Sequence, residues 1–218
     1  MASPEEAAAA IYLRTKQFLY EDTSKQVSQR LKKCGFQVLM GPPHLNAPLL
    51  FLGYQPGKGC KTALEEREYG SEDRWPDVCE YATEHWRLAQ RLQDIFDESV
   101  LRGSVGLNAI FVRADSIATY ETSFDSSVRR KIEALCLSCV KEIVCAVQPK
   151  KVVVIGFSTL KLLSPATWSD HCRNLKGRVL IRRGSVFGYD AVGVLHLTGA
   201  RMSKADRQTI ATFLRKFP

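Results

Sequence analysis

The chain has 218 residues, 45% of them hydrophobic and 25% charged, a size and balance that suit one globular domain with a sizeable core. No apolar run approaches the roughly 20 residues of a membrane-spanning helix, so a membrane partner is not expected. The 31 basic residues outnumber the 23 acidic ones for a net charge of +8, which favours a polyanionic partner, nucleic acid before an anionic membrane.

Ser3-Pro4-Glu5-Glu6 reads as a helix start, with Ser3 as N-cap, Pro4 at the first helical position and Glu6 closing a capping box. The alanine run behind it follows two acids and has no basic leader, so a signal peptide is not expected. A second helix is predicted over residues 24–34, stopped by Gly35. Gly41-Pro42-Pro43 opens a stiff connector that reaches Pro48. Residues 1–47 are therefore expected to form a helical extension packed on a domain of residues 48–218.

Four apolar runs within that domain, 49–52, 105–112, 151–155 and 192–195, predict strands. Between them Leu88, Leu92 and Ile95 recur at helical spacing. Val128, Ile132, Leu135, Cys139 and Ile143 do the same until Pro149 stops the run. Ile210, Phe213 and Leu214 face inward from a closing helix. Strands alternating with helices predict an α/β fold, a three-layer αβα sandwich around a central four-stranded, mainly parallel sheet. The seven cysteines are odd in number and lie mostly in apolar segments, which predicts reduced thiols in a cytosolic or nuclear compartment. Cys136 and Cys139 form C-x-x-C inside an amphipathic run, with no second pair at zinc-like spacing. Core packing is the expectation for them, and no metal or cofactor is expected.

In such sheets ligands bind at the carboxyl ends of the strands, so the residues following each strand carry the functional reading. After the first comes Gly53-Tyr54-Gln55-Pro56-Gly57-Lys58-Gly59, in which glycines permit close backbone approach and Pro56 fixes a turn. It is not a phosphate loop, since no Lys-Ser or Lys-Thr follows at the required spacing. The second strand carries Asn108, a polar residue that must find partners in an apolar setting. After the fourth comes His196-Leu197-Thr198-Gly199-Ala200-Arg201-Met202-Ser203, where small, polar and basic residues suit a loop against a sugar-phosphate backbone.

These segments resemble the motifs of the uracil-DNA glycosylase superfamily. The first loop is similar to its motif 1, G-x-D-P-Y or G-x-N-P-G. Residues 105–115, with L-N-A-I-F-V-R-A, resemble the strand L-L-N-x-V-L-T-V-R-A. Lys150-Lys151-Val152-Val153-Val154-Ile155-Gly156 resembles the third strand, and His196-Leu197-Thr198-Gly199 stands in the place of H-P-S-x. Four segments in the right order cover the chain from about Ala47 onward.

The resemblance implies a DNA N-glycosylase, a hydrolase of base excision repair that flips a deaminated or damaged base out of DNA and cleaves its glycosidic bond without metal or cofactor. His196 would donate to the base oxygen where negative charge grows, and Asn108 would read the edge of the base. Gln55 would orient the attacking water. Gly53, Tyr54, Pro56 and Gly57 would line the base pocket, with Tyr69 as the aromatic platform. Lys58, Thr198, Gly199, Ala200, Arg201 and Met202 would contact DNA, and Arg201 or Met202 would fill the vacated stack in place of the bulky wedge that Ala200 lacks. A monomer is expected, in the nucleoid or cytoplasm of a prokaryote or the nucleus of a eukaryote.

Gln55 departs from the Asp, Asn or Glu usual in motif 1, and a neutral amide orients water without polarising it as a carboxylate does. Gly57 replaces the Tyr that excludes 5-methyl groups in the strictest uracil enzymes, so a larger base fits the expectation. The alternative is a catalytically weak or inactive DNA-binding protein of the same fold. A third option, an α/β enzyme acting on a small molecule, lacks any visible nucleophile or cofactor loop.

Overall fold

The computed structural model describes residues 2–57, 75–163, 168–199 and 202–217. The expected capping box forms. Ser3 Oγ accepts from Glu6 N at 3.2 Å, the Glu6 carboxylate accepts from Ser3 N at 2.8 Å, and α1 runs from Pro4 to Tyr20. A second helix, α2 (Lys25–Cys34), ends at Gly35, whose φ of +67° suits a residue without a Cβ. One face of α1 carries Ala8, Ile11, Tyr12 and Leu19 into the same buried cluster as the sheet. Each large apolar side chain buried there contributes about 1.5–3 kcal/mol relative to exposure. Tyr12 Oη accepts from Leu39 N at 3.2 Å and ties the helix to the segment that follows α2.

The sheet has six strands in the order β2-β1-β3-β6-β5-β4, two more than the sequence predicts. Its parallel part comprises β1 (Leu49–Gly53), β2 (Val105–Asn108), β3 (Lys151–Ile155) and β6 (Tyr189–Val194). The additional strands are β4 (Ser169–Arg173) and β5 (Val179–Val186), which extend the sheet antiparallel beyond β6. β4 escapes the pattern because it is an exposed edge, Ser-Asp-His-Cys-Arg, with no apolar alternation to read. β5 opens Val-Leu-Ile but continues Arg-Arg-Gly-Ser, which disguises its period. It turns into β6 through Phe187 and Gly188, both at positive φ (51° and 91°), the conformation that a right-handed two-residue hairpin requires.

The second strand is shorter than its apolar run. β2 ends at Asn108, and the next donors turn to the first loop: Ala109 N bonds Gly53 O at 2.9 Å and Ile110 N bonds Tyr54 O at 2.8 Å. Phe36 and Leu39 form isolated antiparallel bridges to Val112 and Leu107, so residues 36–39 cover the outer edge of β2.

The remaining helices are α3 (Glu80–Thr83), α4 (Arg87–Gln93), α5 (Glu98–Arg102), α6 (Ile117–Ser123), α7 (Ser126–Val147), α8 (Phe157–Leu163) and α9 (Lys204–Arg215). The helix expected from the spacing of Leu88, Leu92 and Ile95 ends short of Ile95, since α4 stops at Gln93, and Asp97 is the N-cap of α5. Buried residues form two clusters, one on each face of the sheet. Leu50, Leu52, Val152 and Val154 meet α1 and α7, whereas Leu49, Phe51, Val153 and Ile155 meet α4 and α9. Strands buried on both faces read as continuous apolar runs, which is why these were legible in sequence. Cys136 and Cys139 belong to the first cluster, and Arg14 donates to Cys139 Sγ at 3.0 Å. Among the described residues no helix is long and apolar enough to cross a membrane.

From β1 the chain moves to β2 on one side and later to β3 on the other. That reversal lies at the carboxyl ends of β1 and β3, the place where the crevice of an open α/β sheet binds ligands.

Candidate functional site

The first loop leaves β1 directly into this crevice, and the segment after β2 pins it at successive positions. Besides the bonds to Gly53 O and Tyr54 O, Gln55 Nε2 donates to Ala114 O at 3.1 Å and Ala114 N donates to Pro56 O at 3.3 Å. Arg113 Nη1 donates to Gly57 O at 3.2 Å. Arg113 is buried, and its Nη2 also donates to Gln37 Oε1 at 2.7 Å. Gln37 Nε2 in turn reaches the Glu80 carboxylate at 3.1 Å, which places an acidic residue within one bond of the buried guanidinium network. The sequence reading assigned no role to Arg113, Gln37 or Glu80. The V-R-A within its second segment was the available signal for Arg113; nothing local marked the other two.

Two amides at the strand ends hold polar atoms in reserve. Asn108 is 2% exposed, and its Nδ2 has no hydrogen-bond partner among the described residues. Gln55 Oε1 is likewise buried without a partner among them. A buried donor and a buried acceptor left unsatisfied each cost about 1–3 kcal/mol, which marks them as places where a ligand or water belongs. Gly53 lies opposite Asn108 in the β1–β2 register, and a Cβ added there would sit 2.9 Å from Asn108 Oδ1. The glycine is needed for close approach.

His196 follows β6, which lies beyond β3 in the sheet. Its Nδ1 lies 3.4 Å from the Thr198 backbone N and 3.0 Å from Thr198 Oγ1. A backbone N–H can only donate, so Nδ1 acts as acceptor and the ring proton resides on Nε2. Gly156, after β3, packs beside the imidazole, where a Cβ would make ordinary contact with His196 Cδ2 at 3.5 Å; its φ of +89° rather than space favours glycine. The residue keeps exposed surface, yet the protein packed around its ring withholds water and lowers its pKa below the ordinary histidine value. The neutral tautomer with an Nε2–H donor is therefore favoured near neutral pH. Gly156 went unassigned in the sequence reading.

The loop after His196 turns through Gly199, whose N bonds His196 O at 2.9 Å. Leu197 and Met202 both bury their side chains in the second cluster, at 2% and 7% exposure. Met202 was expected at the DNA surface, with Arg201, as filler of the vacated stack. Its side chain is instead core, because its apolar volume completes the packing under α9. Thr198 is half-buried with its hydroxyl on the imidazole, and Gly199 is exposed.

Of the first-loop residues, Pro56 is buried and Gly57 exposed. The half-buried Tyr54 ring packs against the first cluster, and burial first, then Glu121 and Glu133, raises the pKa of its hydroxyl. Its ring therefore leans toward α6 and α7. Lys58, Tyr69, Ala200 and Arg201 lie outside the described residues. No group of His, Cys, Asp and Glu among the described residues is arranged to hold a metal ion.

No protein-family model matches this chain, and no curated protein matches it.

Proposed function

We propose that the chain is a monofunctional DNA N-glycosylase resembling the uracil-DNA glycosylase superfamily, built as an αβα sandwich and acting as a monomer on uracil or another deaminated or damaged base. The observation that carries this reading is the placement of three groups at the carboxyl ends of parallel strands: the Nε2–H donor of His196 after β6, the unpartnered Asn108 Nδ2 at the end of β2 and the unpartnered Gln55 Oε1 after β1.

The reaction breaks the C1′–N bond and forms a C1′–O bond to water. The base leaves with the electron pair, and the sugar passes through a cationic oxocarbenium-like state. His196 Nε2–H and Asn108 Nδ2 supply preorganised donors to oxygens of the departing base, where negative charge accumulates in a water-poor setting. Gln55 Oε1 accepts from a water and orients it toward C1′, while its Nε2 stays fixed on Ala114 O. Water loses its proton to bulk solvent or to the departing base, since Gln55 is no base.

Oligonucleotides carrying uracil, hypoxanthine or xanthine, incubated with the protein and then treated with alkali, test the proposal. Strand scission at one of these bases is the expected result. Its absence across all three, with folded protein, removes the enzymatic reading.

The second reading is a DNA-binding protein without effective chemistry, favoured by the neutral, anchored amide of Gln55. It predicts salt-sensitive DNA binding with no scission product.

A further inference from the structure

Beyond the crevice, the same end of the molecule carries a projecting hairpin. β5 runs antiparallel to β6 with Ile181 opposite Val194, and Arg173 at the end of β4 lies opposite Val179. The turn between β4 and β5 therefore extends past the carboxyl ends of the parallel strands, on the side where His196 emerges. Four residues make it: Asn174-Leu175-Lys176-Gly177, closed by Gly177 N to Asn174 O at 2.9 Å, with Gly177 at φ +76°.

This turn is rigidly held. Asn174 Oδ1 accepts from Lys176 N and Arg178 N, each at 3.0 Å. Asn174 Nδ2 donates to both oxygens of Asp206, at 3.1 and 3.3 Å, in the first turn of α9. Asp206 N is itself capped by Ser203 Oγ at 3.0 Å. The hairpin and the loop after His196 are thus anchored at the same helix end. At the tip Leu175 is completely exposed (relative accessibility 109%), and Arg173, Lys176 and Arg178 around it are also exposed. A single exposed leucine is ordinary. One fixed at the apex of a pinned basic turn, beside a base-binding crevice, has the form of an apolar wedge with phosphate contacts at its flanks.

We propose that the β4–β5 turn enters duplex DNA beside the extruded nucleotide, with Leu175 against the opened base stack and Lys176 on the phosphate backbone. The inference rests on the DNA reading of the crevice. Charge complementarity with the basic turn favours duplex nucleic acid over a protein partner. With Met202 buried in the core, Leu175 supplies the apolar contact expected of that side chain.

The test compares affinity for a short duplex with one uracil opposite guanine and for the corresponding single strand, a fluorescent aminopurine beside the uracil reporting loss of stacking. Leu175→Ala is expected to reduce the duplex-to-single-strand affinity ratio roughly tenfold and to diminish the fluorescence rise, because the apolar surface it buries in a stack is lost. Leu175→Met is expected to restore both, and Lys176→Ala to lower the salt slope of duplex binding by about one. Leu13→Ala, a change at another exposed leucine, on α1, serves as the control and leaves the ratio unaltered. If wild type binds the duplex and Leu175→Ala matches the control, the hairpin inference falls while the crevice reading stands. If wild type binds no DNA at low salt, both fall.

Discussion

Replacing Gly53 by alanine separates stability from function in a way that follows from one contact. The new Cβ would lie 2.9 Å from Asn108 Oδ1, and ordinary contact begins at 3.4 Å, so the amide must retreat by about half an ångström. Asn108 is 2% exposed, so its side chain shifts against packed neighbours rather than into solvent. Alanine in place of glycine near a strand end gains about 0.5–1 kcal/mol from the unfolded chain, and an off-rotamer asparagine costs about as much. The melting temperature should therefore stay near that of wild type. Misplacing a positioned group by about an ångström lowers rates on the order of a hundredfold, so the smaller shift here should lower single-turnover excision roughly tenfold. The assay is excision under enzyme excess, run beside Asn108→Ala and the double variant. If the alanine acts through the amide, Gly53→Ala adds nothing in the Asn108→Ala background. Full activity in Gly53→Ala, or undiminished additivity in the double variant, refutes the assignment of Asn108 to the base.

Asn108→Ala should also leave thermal stability unchanged or raised while activity falls, because it removes a buried donor that lacks a partner; calorimetry of the unliganded protein checks this. Thr198→Val should raise the His196 pKa, since the hydroxyl at 3.0 Å supports the unprotonated Nδ1, and NMR titration of the ring reads the shift directly. The folded pKa of His196 lies below its unfolded value, so the unfolded chain binds more protons in between. That contribution to stability is present above the ordinary histidine range and diminishes as pH falls through it, and removing His196 should flatten this part of the pH profile. Arg113→Met should cost about 1–3 kcal/mol, because it strips the donor from the buried Gln37 Oε1. Chemical denaturation measures that loss, and a variant as stable as wild type would contradict the role of the network.

What sequence showed and what it hid divide along physical lines. The four parallel strands were legible because burial on both faces writes an uninterrupted apolar run, as in residues 49–52 and 151–155. The α1 start was legible because its capping box is local. β4 was not, since an exposed edge strand makes no demand on side-chain pattern, and β5 hid behind its Arg-Arg-Gly-Ser half. The strand at 105–112 was overextended because Ala109–Val112 remains buried after leaving the ladder; burial there comes from the first loop and from residues 36–39. Among the candidate site residues, Gln55 and His196 were singled out because they follow strands, and Asn108 because it is a polar residue in an apolar strand; Gly53 and Asn108 close β1 and β2. Gln37 and Glu80 were not, because their relation to Arg113 is tertiary and leaves no trace in spacing. Met202 illustrates the reverse error, an apolar residue in a polar loop whose inward orientation only the packing under α9 decides.

Single-turnover excision by His196→Ala and Gln55→Ala, each against wild type on the best substrate of the panel, tests the central claim most directly. The predicted result is a loss of about 10²–10³ for His196→Ala, the usual effect of removing a preorganised donor, and a much smaller loss for Gln55→Ala. Equal, negligible effects of the two substitutions would contradict the account.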